Sequence, residues 1–161
     1  MNAFLLVVFS LILQALVSGL LPERFSPPDL WFLLAVVLAS RQNPYLGLAT
    51  AFGLGLLQDL SSAGYLGFHA LGLASAAYAF YGLRGWLHWE EPAARMVILA
   101  LAFLAKWGGY LILVYWMRYA TLPASTWLQV FLPELVLTLL LAPIYLRLAE
   151  ALLGPGDEAY A

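Results

Sequence analysis

Long apolar segments alternate with short polar ones along most of the chain. Six apolar segments can be distinguished, and most are bounded by proline, glycine or charged residues, which favour turns and helix ends. The segments cover residues 3–21, 29–40, 45–60, 68–87, 96–119 and 126–153. This pattern predicts six helices that are joined by short loops.

Two of the six segments are short for helices that cross a membrane. The second has about 12 residues and would be about 18 Å long at the helical rise. The hydrocarbon core of a bilayer is about 30 Å thick, and the third segment is also short. We interpret the second as a half-helix or as a span that continues into its flanking residues, and a re-entrant hairpin of the second and third stays open.

The composition places the chain in a bilayer. It has 161 residues, of which 64% are hydrophobic and only 10% are charged, whereas a soluble domain is about half apolar and a quarter charged. At about 20 residues per span, this length holds five or six spans and no soluble catalytic domain. We therefore predict an all-α integral membrane protein, a six-helix transmembrane bundle in a single domain over residues 1–161.

Charge and cysteine content exclude further classes. The net charge is −2 without a basic run, so nucleic-acid binding has no electrostatic support. The absence of cysteine excludes disulfides, thiolate metal sites and thiol nucleophiles. The first segment lacks the positively charged start of a signal peptide, and we interpret it as a retained helix.

The distribution of arginines predicts an orientation. With six alternating spans, the arginines on the side of the two termini are Arg41, Arg84, Arg95 and Arg147, and those on the other side are Arg24 and Arg118. By the positive-inside rule, both termini are expected in the cytoplasm.

Aromatic residues gather near the predicted ends of the segments. They are Trp31, Trp86, Trp89, Tyr115, Trp116, Tyr119 and Trp127. Tryptophan and tyrosine are enriched at both membrane–water interfaces, so we expect these residues to anchor the helices there.

Two ionisable residues of the last two segments are predicted to meet. Lys106 lies about 11 residues after Arg95, at a depth of about 16 Å. Glu134 enters from the opposite face and lies about 18 Å from the face of Arg95 in a core of about 30 Å. Because isolated buried charges are costly, we expect Lys106 and Glu134 to pair. The pair would pin two helices together, and a role in a proton or ion pathway is the alternative.

Asp59 stands near the end of the third segment, where the helix macrodipole disfavours a carboxylate. It therefore needs a partner, and the start of the fourth helix, His69 and Arg118 are the candidates. We expect Asp59 either to anchor the following turn or to face a partner protein. Ser61 lies nearby but lacks the sequence context of a nucleophile, and no metalloprotease or phosphate-binding motif is present, so we expect no enzymatic activity.

Small residues are frequent in the third and fourth segments. Gly53 and Gly55 lie in the third, and Gly72 and Ala76 form a small-xxx-small pair in the fourth. Small residues let membrane helices approach closely. We expect packing within the chain, and a homodimer is left open.

Four short stretches come in an order that resembles a known family. They are "SPPDL" at 26–30, "RQNPYLG" at 41–47, "AFGLGLLQDL" at 51–60 and "GYLGFHAL" at 64–71. In this order they resemble the MreD family of rod-shape-determining membrane proteins. With the charged residues above, the resemblance gives the structural or partner-binding candidates Asp29, Gly55, Asp59, Gly64, Gly67, His69, Lys106 and Glu134.

The resemblance implies a function in the bacterial inner membrane. The protein would be a non-catalytic scaffold of the cell-elongation (rod) complex, without a cofactor, that binds MreC through its membrane helix and adjacent region. It would lie near RodA, penicillin-binding protein 2 and MreB, and would help to control peptidoglycan synthesis and cell shape.

A second resemblance leaves an alternative function. The predicted architecture is similar to the S-components of energy-coupling-factor transporters, which are six-helix proteins of similar size. The alternative is therefore a small-molecule-binding subunit of a transporter, and a tetrapyrrole or sterol sensor is a third hypothesis.

Overall fold

The computed structural model of the chain describes residues 2–21, 26–62, 65–117 and 124–154. These residues form six helices, which confirms the predicted number. The helices are α1 (Asn2–Leu20), α2 (Leu30–Ser40), α3 (Pro44–Ser61), α4 (Phe68–Arg84), α5 (Pro92–Trp116) and α6 (Ala124–Leu153).

The helix ends differ slightly from the predicted ones because of local capping. α3 is longer than expected, with 18 residues or about 27 Å, since Pro44 occupies its first turn and Asn43 caps it with its side chain. α5 begins at Pro92, four residues before its apolar segment, because proline is favoured in the first turn of a helix. α4 ends at Arg84, before Gly85, rather than continuing to Leu87.

Three of the helices are long and apolar enough to cross a membrane by length and composition. They are α1, α5 and α6, with apolar stretches Ala3–Leu20, Pro92–Trp116 and Leu128–Leu153. α2 is an apolar helix of only 11 residues, about 17 Å long. The prediction of a short second segment is therefore confirmed.

The short helix α2 lies in the centre of the bundle. All ten residues from Leu30 to Ala39 are buried, and α2 contacts α1, α3, α4 and α6. Phe32 also packs edge-on against Phe103 of α5, with ring centroids 5.2 Å apart. A helix that is apolar on every side needs burial on every side. Central packing satisfies that need.

The central position of α2 corrects one prediction. Trp31 was expected at a membrane interface, but it is buried in the core beside the rest of α2. The side chains of Trp86, Tyr115 and Trp116 are exposed at helix ends. Their role as interfacial anchors stays a prediction, and Tyr119 and the side chain of Trp127 lie outside the described part of the chain.

Glycines bring α3, α4 and α5 into close contact. A Cβ atom at Gly55 would lie 2.6 Å from the backbone nitrogen of Ala70 in α4. A Cβ atom at Gly72 would lie 3.2 Å from the carbonyl oxygen of Lys106, and one at Gly109 would lie 3.2 Å from that of Leu71. The predicted role of small residues in packing within the chain is therefore confirmed at these positions.

α6 completes the bundle against α1, α2 and α5. Pro133 and Pro143 lie inside this helix without ending it. Its second half carries the buried residues Thr138, Ala142, Tyr145, Leu146 and Ala149. The hydroxyl groups of Tyr145 and Ser10 are 2.6 Å apart and join α6 to α1.

Candidate functional site

Three charged side chains meet inside the bundle. The Nζ atom of Lys106 on α5 donates hydrogen bonds to Oε1 of Glu134 on α6, at 2.8 Å, and to Oδ2 of Asp29 at the start of α2. The side chains of Asp29, Lys106 and Glu134 are 4%, 8% and 13% exposed. We call these three residues the ionic cluster. The predicted approach of Lys106 and Glu134 is confirmed, and Asp29 is an additional member.

Asp29 reaches the cluster because it is the N-cap residue of α2. Its Oδ1 atom accepts a hydrogen bond of 3.0 Å from the backbone nitrogen of Phe32, which leaves Oδ2 for Lys106. A carboxylate is favoured at a helix N-terminus by the unpaired N–H groups and by the helix dipole. The same side chain therefore caps α2 and ties it to α5.

Two polar side chains of neighbouring helices accept hydrogen bonds from backbone N–H groups at the start of α2. The backbone nitrogen of Asp29 donates to Oγ1 of Thr138 on α6, at 2.8 Å. The backbone nitrogen of Leu30 donates to Oε1 of Gln14 on α1, at 2.9 Å. Because N–H groups in the first turn of a helix lack partners within the helix, these bonds remove a cost of burial. They also join α2 to α1 and α6.

The charges of the ionic cluster are not balanced when both carboxyl groups are ionised. Two carboxylates then face one ammonium group, which leaves one negative charge. The Lys106 ammonium also lies 4.9 Å from the centre of the Phe103 ring, which adds a cation–π contact. Removing one member of a buried ion pair is far more costly than the pair itself is favourable. We infer that the three residues depend on each other.

A signal in the sequence pointed to Asp29 as a buried charge. Residues 30–39 are apolar on every face of the helix, which is typical of a helix surrounded by protein. A central helix of this length begins near the middle of the bundle, and the residue before it lies there too. Asp29 was chosen only through the family resemblance, so its ion pair with Lys106 was missed.

A second polar site joins α3 to α4 through Asp59. Its carboxylate accepts hydrogen bonds from the backbone nitrogens of Gly67, His69 and Ala70, at 2.7, 3.0 and 3.3 Å. It also accepts one from Nδ1 of His69, at 2.7 Å. Two of the three predicted partners of Asp59, the start of α4 and His69, are therefore confirmed, and Arg118 lies outside the described residues.

The local backbone explains why α4 uses a carboxylate from another helix. Its N-cap residue is Gly67, with a φ of 102°, which has no side chain to accept a hydrogen bond. Asp59 takes this capping role from the end of α3. The close approach at Gly55 brings the two helices near enough for these bonds. Gly64 lies outside the described residues.

The chemistry of the Asp59 site is that of a structural contact. The hydroxyl of Ser61 donates to the carbonyl oxygen of Leu57 in its own helix, at 2.8 Å. The Asp59 carboxylate is fully buried and bound by four donors, whereas the His69 side chain is partly exposed. The arrangement can hold α3 and α4 in one orientation.

Comparison with known proteins assigns the family. Neither curated proteins nor solved structures gave a match. The family model described as rod shape-determining protein MreD matches residues 1–152, a range that contains the ionic cluster and the Asp59 site. Together with the three long apolar helices, this match identifies a membrane protein. The chain belongs to the MreD family of rod shape-determining proteins.

Proposed function

We propose that the protein is a non-catalytic scaffold of the cell-elongation (rod) complex in the bacterial inner membrane. The observation that carries this proposal is the family match over residues 1–152, since the family implies a role in determining rod shape. The proposed partner is MreC, bound through its membrane helix and adjacent region. RodA, penicillin-binding protein 2 and MreB would lie nearby, and the complex would control peptidoglycan synthesis.

The contacts of the buried charged residues support a scaffold. In the ionic cluster and at Asp59, each charged group binds protein groups from another helix. Such bonds fix the positions of helices, and a fixed arrangement of helices is what a scaffold presents to its partners. In this proposal, recognition takes place on helix faces and short loops.

The arginines at the end of the bundle where α1 begins and α6 ends support a cytoplasmic location for both chain termini. Arg41 donates to the carbonyl oxygen of Gly154, at 2.7 Å, which brings the α2–α3 turn beside the end of α6. Arg95 pairs with Glu150 at 3.3 Å on the same end. A concentration of arginines favours the cytoplasmic face.

One observation keeps the transporter-subunit alternative in view. α2 begins inside the bundle, and in many transporters a half-helix N-terminus near the membrane centre faces an anionic substrate. In this chain, the backbone N–H groups at the start of α2 already donate hydrogen bonds to the side chains of Asp29, Thr138 and Gln14. A scaffold is therefore favoured over a site for an anionic small molecule.

Copurification and complementation test the proposal together. The tagged chain is expressed with MreC of the same bacterium, and with an unrelated single-pass membrane protein as the control. We expect MreC but not the control to copurify, and we expect the chain to restore rod shape to cells that lack their own copy. Copurification with an ATPase module and a bound small molecule, without MreC, would favour the transporter alternative and refute the scaffold.

A further inference from the structure

The half-length of α2 leaves the described parts of α1, α5 and α6 without fully buried residues at one end of the bundle. α2 begins beside Lys106, near the middle of α5, and runs only toward the end of the bundle where α1 begins and α6 ends. Toward the other end, the described parts of α1, α5 and α6 contain no buried residue over 11–20, 110–117 and 128–137. We call these three stretches the open end of the bundle.

The ionic cluster lies at the inner boundary of the open end. Glu134 is its most accessible member, whereas Asp29 is enclosed. Val130, one helical turn from Glu134 on the same face of α6, is already exposed. Further exposed apolar side chains lie along the same stretches of the two helices, namely Leu111 and Ile112 on α5 and Leu128 and Leu132 on α6. The open end thus combines apolar walls with a carboxylate at its base.

The net charge of the ionic cluster indicates which kind of group would stabilise it. With both carboxyl groups ionised, the cluster carries one negative charge, and an uncompensated charge in apolar surroundings is costly. The indole of Trp107, which lies beside Glu134, is uncharged and leaves the net charge unchanged. A further hydrogen-bond donor that approaches Glu134 from the open end would offset this cost. Because Glu134 lies about ten residues into α6, or about 15 Å, lipid headgroups at the helix end are too far away. Lipid tails would cover the walls but bring no donor.

We propose that the open end receives a transmembrane helix of a partner protein, and that this helix brings a hydrogen-bond-donating side chain to Glu134. The proposal rests on the scaffold function above, for which the partner is MreC. It adds the binding surface, formed by the described parts of α5 and α6 at this end, and the polar contact that fixes the depth of the partner helix.

A pair of matched substitutions tests the contact at Glu134. Glu134→Gln and Asp29→Asn each remove one negative charge next to Lys106, and asparagine keeps the N-cap of α2. Binding of purified MreC is measured with both variants in lipid nanodiscs. We expect Glu134→Gln to raise the apparent Kd at least tenfold and Asp29→Asn to raise it less than threefold. Equal effects of the two variants, or no effect of Glu134→Gln, would overturn the proposal.

Crosslinking locates the surface without changing the ionic cluster. Because the chain has no cysteine, single-cysteine variants can each carry one photoactivatable crosslinker. The test positions are Val130 and Leu113, which lies two turns from Lys106 on the same face of α5. The controls are the exposed residues Phe52 on α3 and Tyr78 on α4. We expect crosslinks to MreC at the test positions at least fivefold above those at the controls.

The outcomes separate this proposal from the function on which it rests. If unmodified chain and MreC do not copurify, the scaffold function fails and this proposal fails with it. If they copurify but crosslinks form mainly at Phe52 or Tyr78, only the assignment of the surface is overturned. Copurification with no crosslink to MreC at Val130 and Leu113 also overturns it, since lipid alone would then cover the open end.

Discussion

The carboxylates of Asp29 and Glu134 bind the same ammonium group, that of Lys106. These residues come from α2, α5 and α6, so one buried cation joins three helices. The arrangement explains how an 11-residue helix keeps its place in the bundle. Apolar packing buries the sides of α2, and Asp29 fixes its N-terminus.

Replacing Lys106, the shared cation, is expected to destabilise the protein strongly. Lys106→Met leaves the carboxylates of Asp29 and Glu134 facing each other inside the protein. Removing one partner of a buried ion pair costs about 3–5 kcal/mol. We expect a much lower unfolding temperature for the purified variant in detergent and less protein in the membrane.

The Arg95–Glu150 pair provides the control for this substitution. The Glu150 side chain is half-exposed, and exposed ion pairs contribute about 0–1 kcal/mol. Glu150→Gln removes only this pair, so it should change the unfolding temperature little. Similar losses for Glu150→Gln and Lys106→Met would contradict a special role of the buried cluster.

The second polar site predicts a graded effect of substitutions at Asp59. Asp59→Ala removes the acceptor for three backbone N–H groups and for His69. A buried donor without a partner costs about 1–3 kcal/mol, so we expect a loss of at least about 3 kcal/mol in the free energy of unfolding. Asp59→Asn keeps one acceptor oxygen and should lose about half as much. Equal stability of Asp59→Ala and the unsubstituted protein would refute the capping role.

Two glycines on opposite faces of α3 make a matched pair. A Cβ atom at Gly55 would meet the backbone of Ala70, whereas one at Gly53 would meet nothing within 4 Å. Gly55→Ala is therefore expected to destabilise the protein by about 1–3 kcal/mol through overpacking. Gly53→Ala should be neutral or stabilising by up to about 1 kcal/mol, because alanine favours the helix. The reverse order of unfolding temperatures would show that α3 and α4 are not packed as described.

Removing the hydroxyl group of Tyr81, a residue of α4 that contacts the end of α2, is expected to lower stability by a smaller amount. Tyr81 donates to the carbonyl oxygen of Ala39 at 2.7 Å and also lies near those of Gln42 and Asn43. Since carbonyl groups in the last turn of a helix lack internal partners, Tyr81→Phe should cost about 1–2 kcal/mol. The exposed Tyr78 offers the control Tyr78→Phe, which should leave thermal unfolding unchanged. A larger effect at Tyr78 would count against the proposed contact.

Much of the fold could be predicted from local sequence signals. Apolar segments with proline and glycine at their ends gave the six helices, because helix formation and termination are largely local. The pairing of Lys106 with Glu134 followed from their depths in adjacent antiparallel helices. The partners of Asp59 followed from the polarity of a helix end.

The remaining features depend on how the helices are arranged in space. The periodicity of α2 shows that every side is buried, but it does not name the helices that bury it. For that reason Trp31 was expected at an interface, and Asp29 was not matched with Lys106. The role of Gly55 in the approach of α3 to α4 likewise depends on which residue faces it across the interface.

The claim that the three charged residues depend on each other is tested most directly by neutralising all of them. The unfolding temperature in detergent is measured for the unsubstituted protein, for Lys106→Met, and for the triple variant Asp29→Asn, Lys106→Met, Glu134→Gln. If stranded carboxylates cause the loss in Lys106→Met, the triple variant should recover most of the lost stability, since an uncharged set carries no such cost. A triple variant that unfolds at or below the temperature of Lys106→Met would contradict this account.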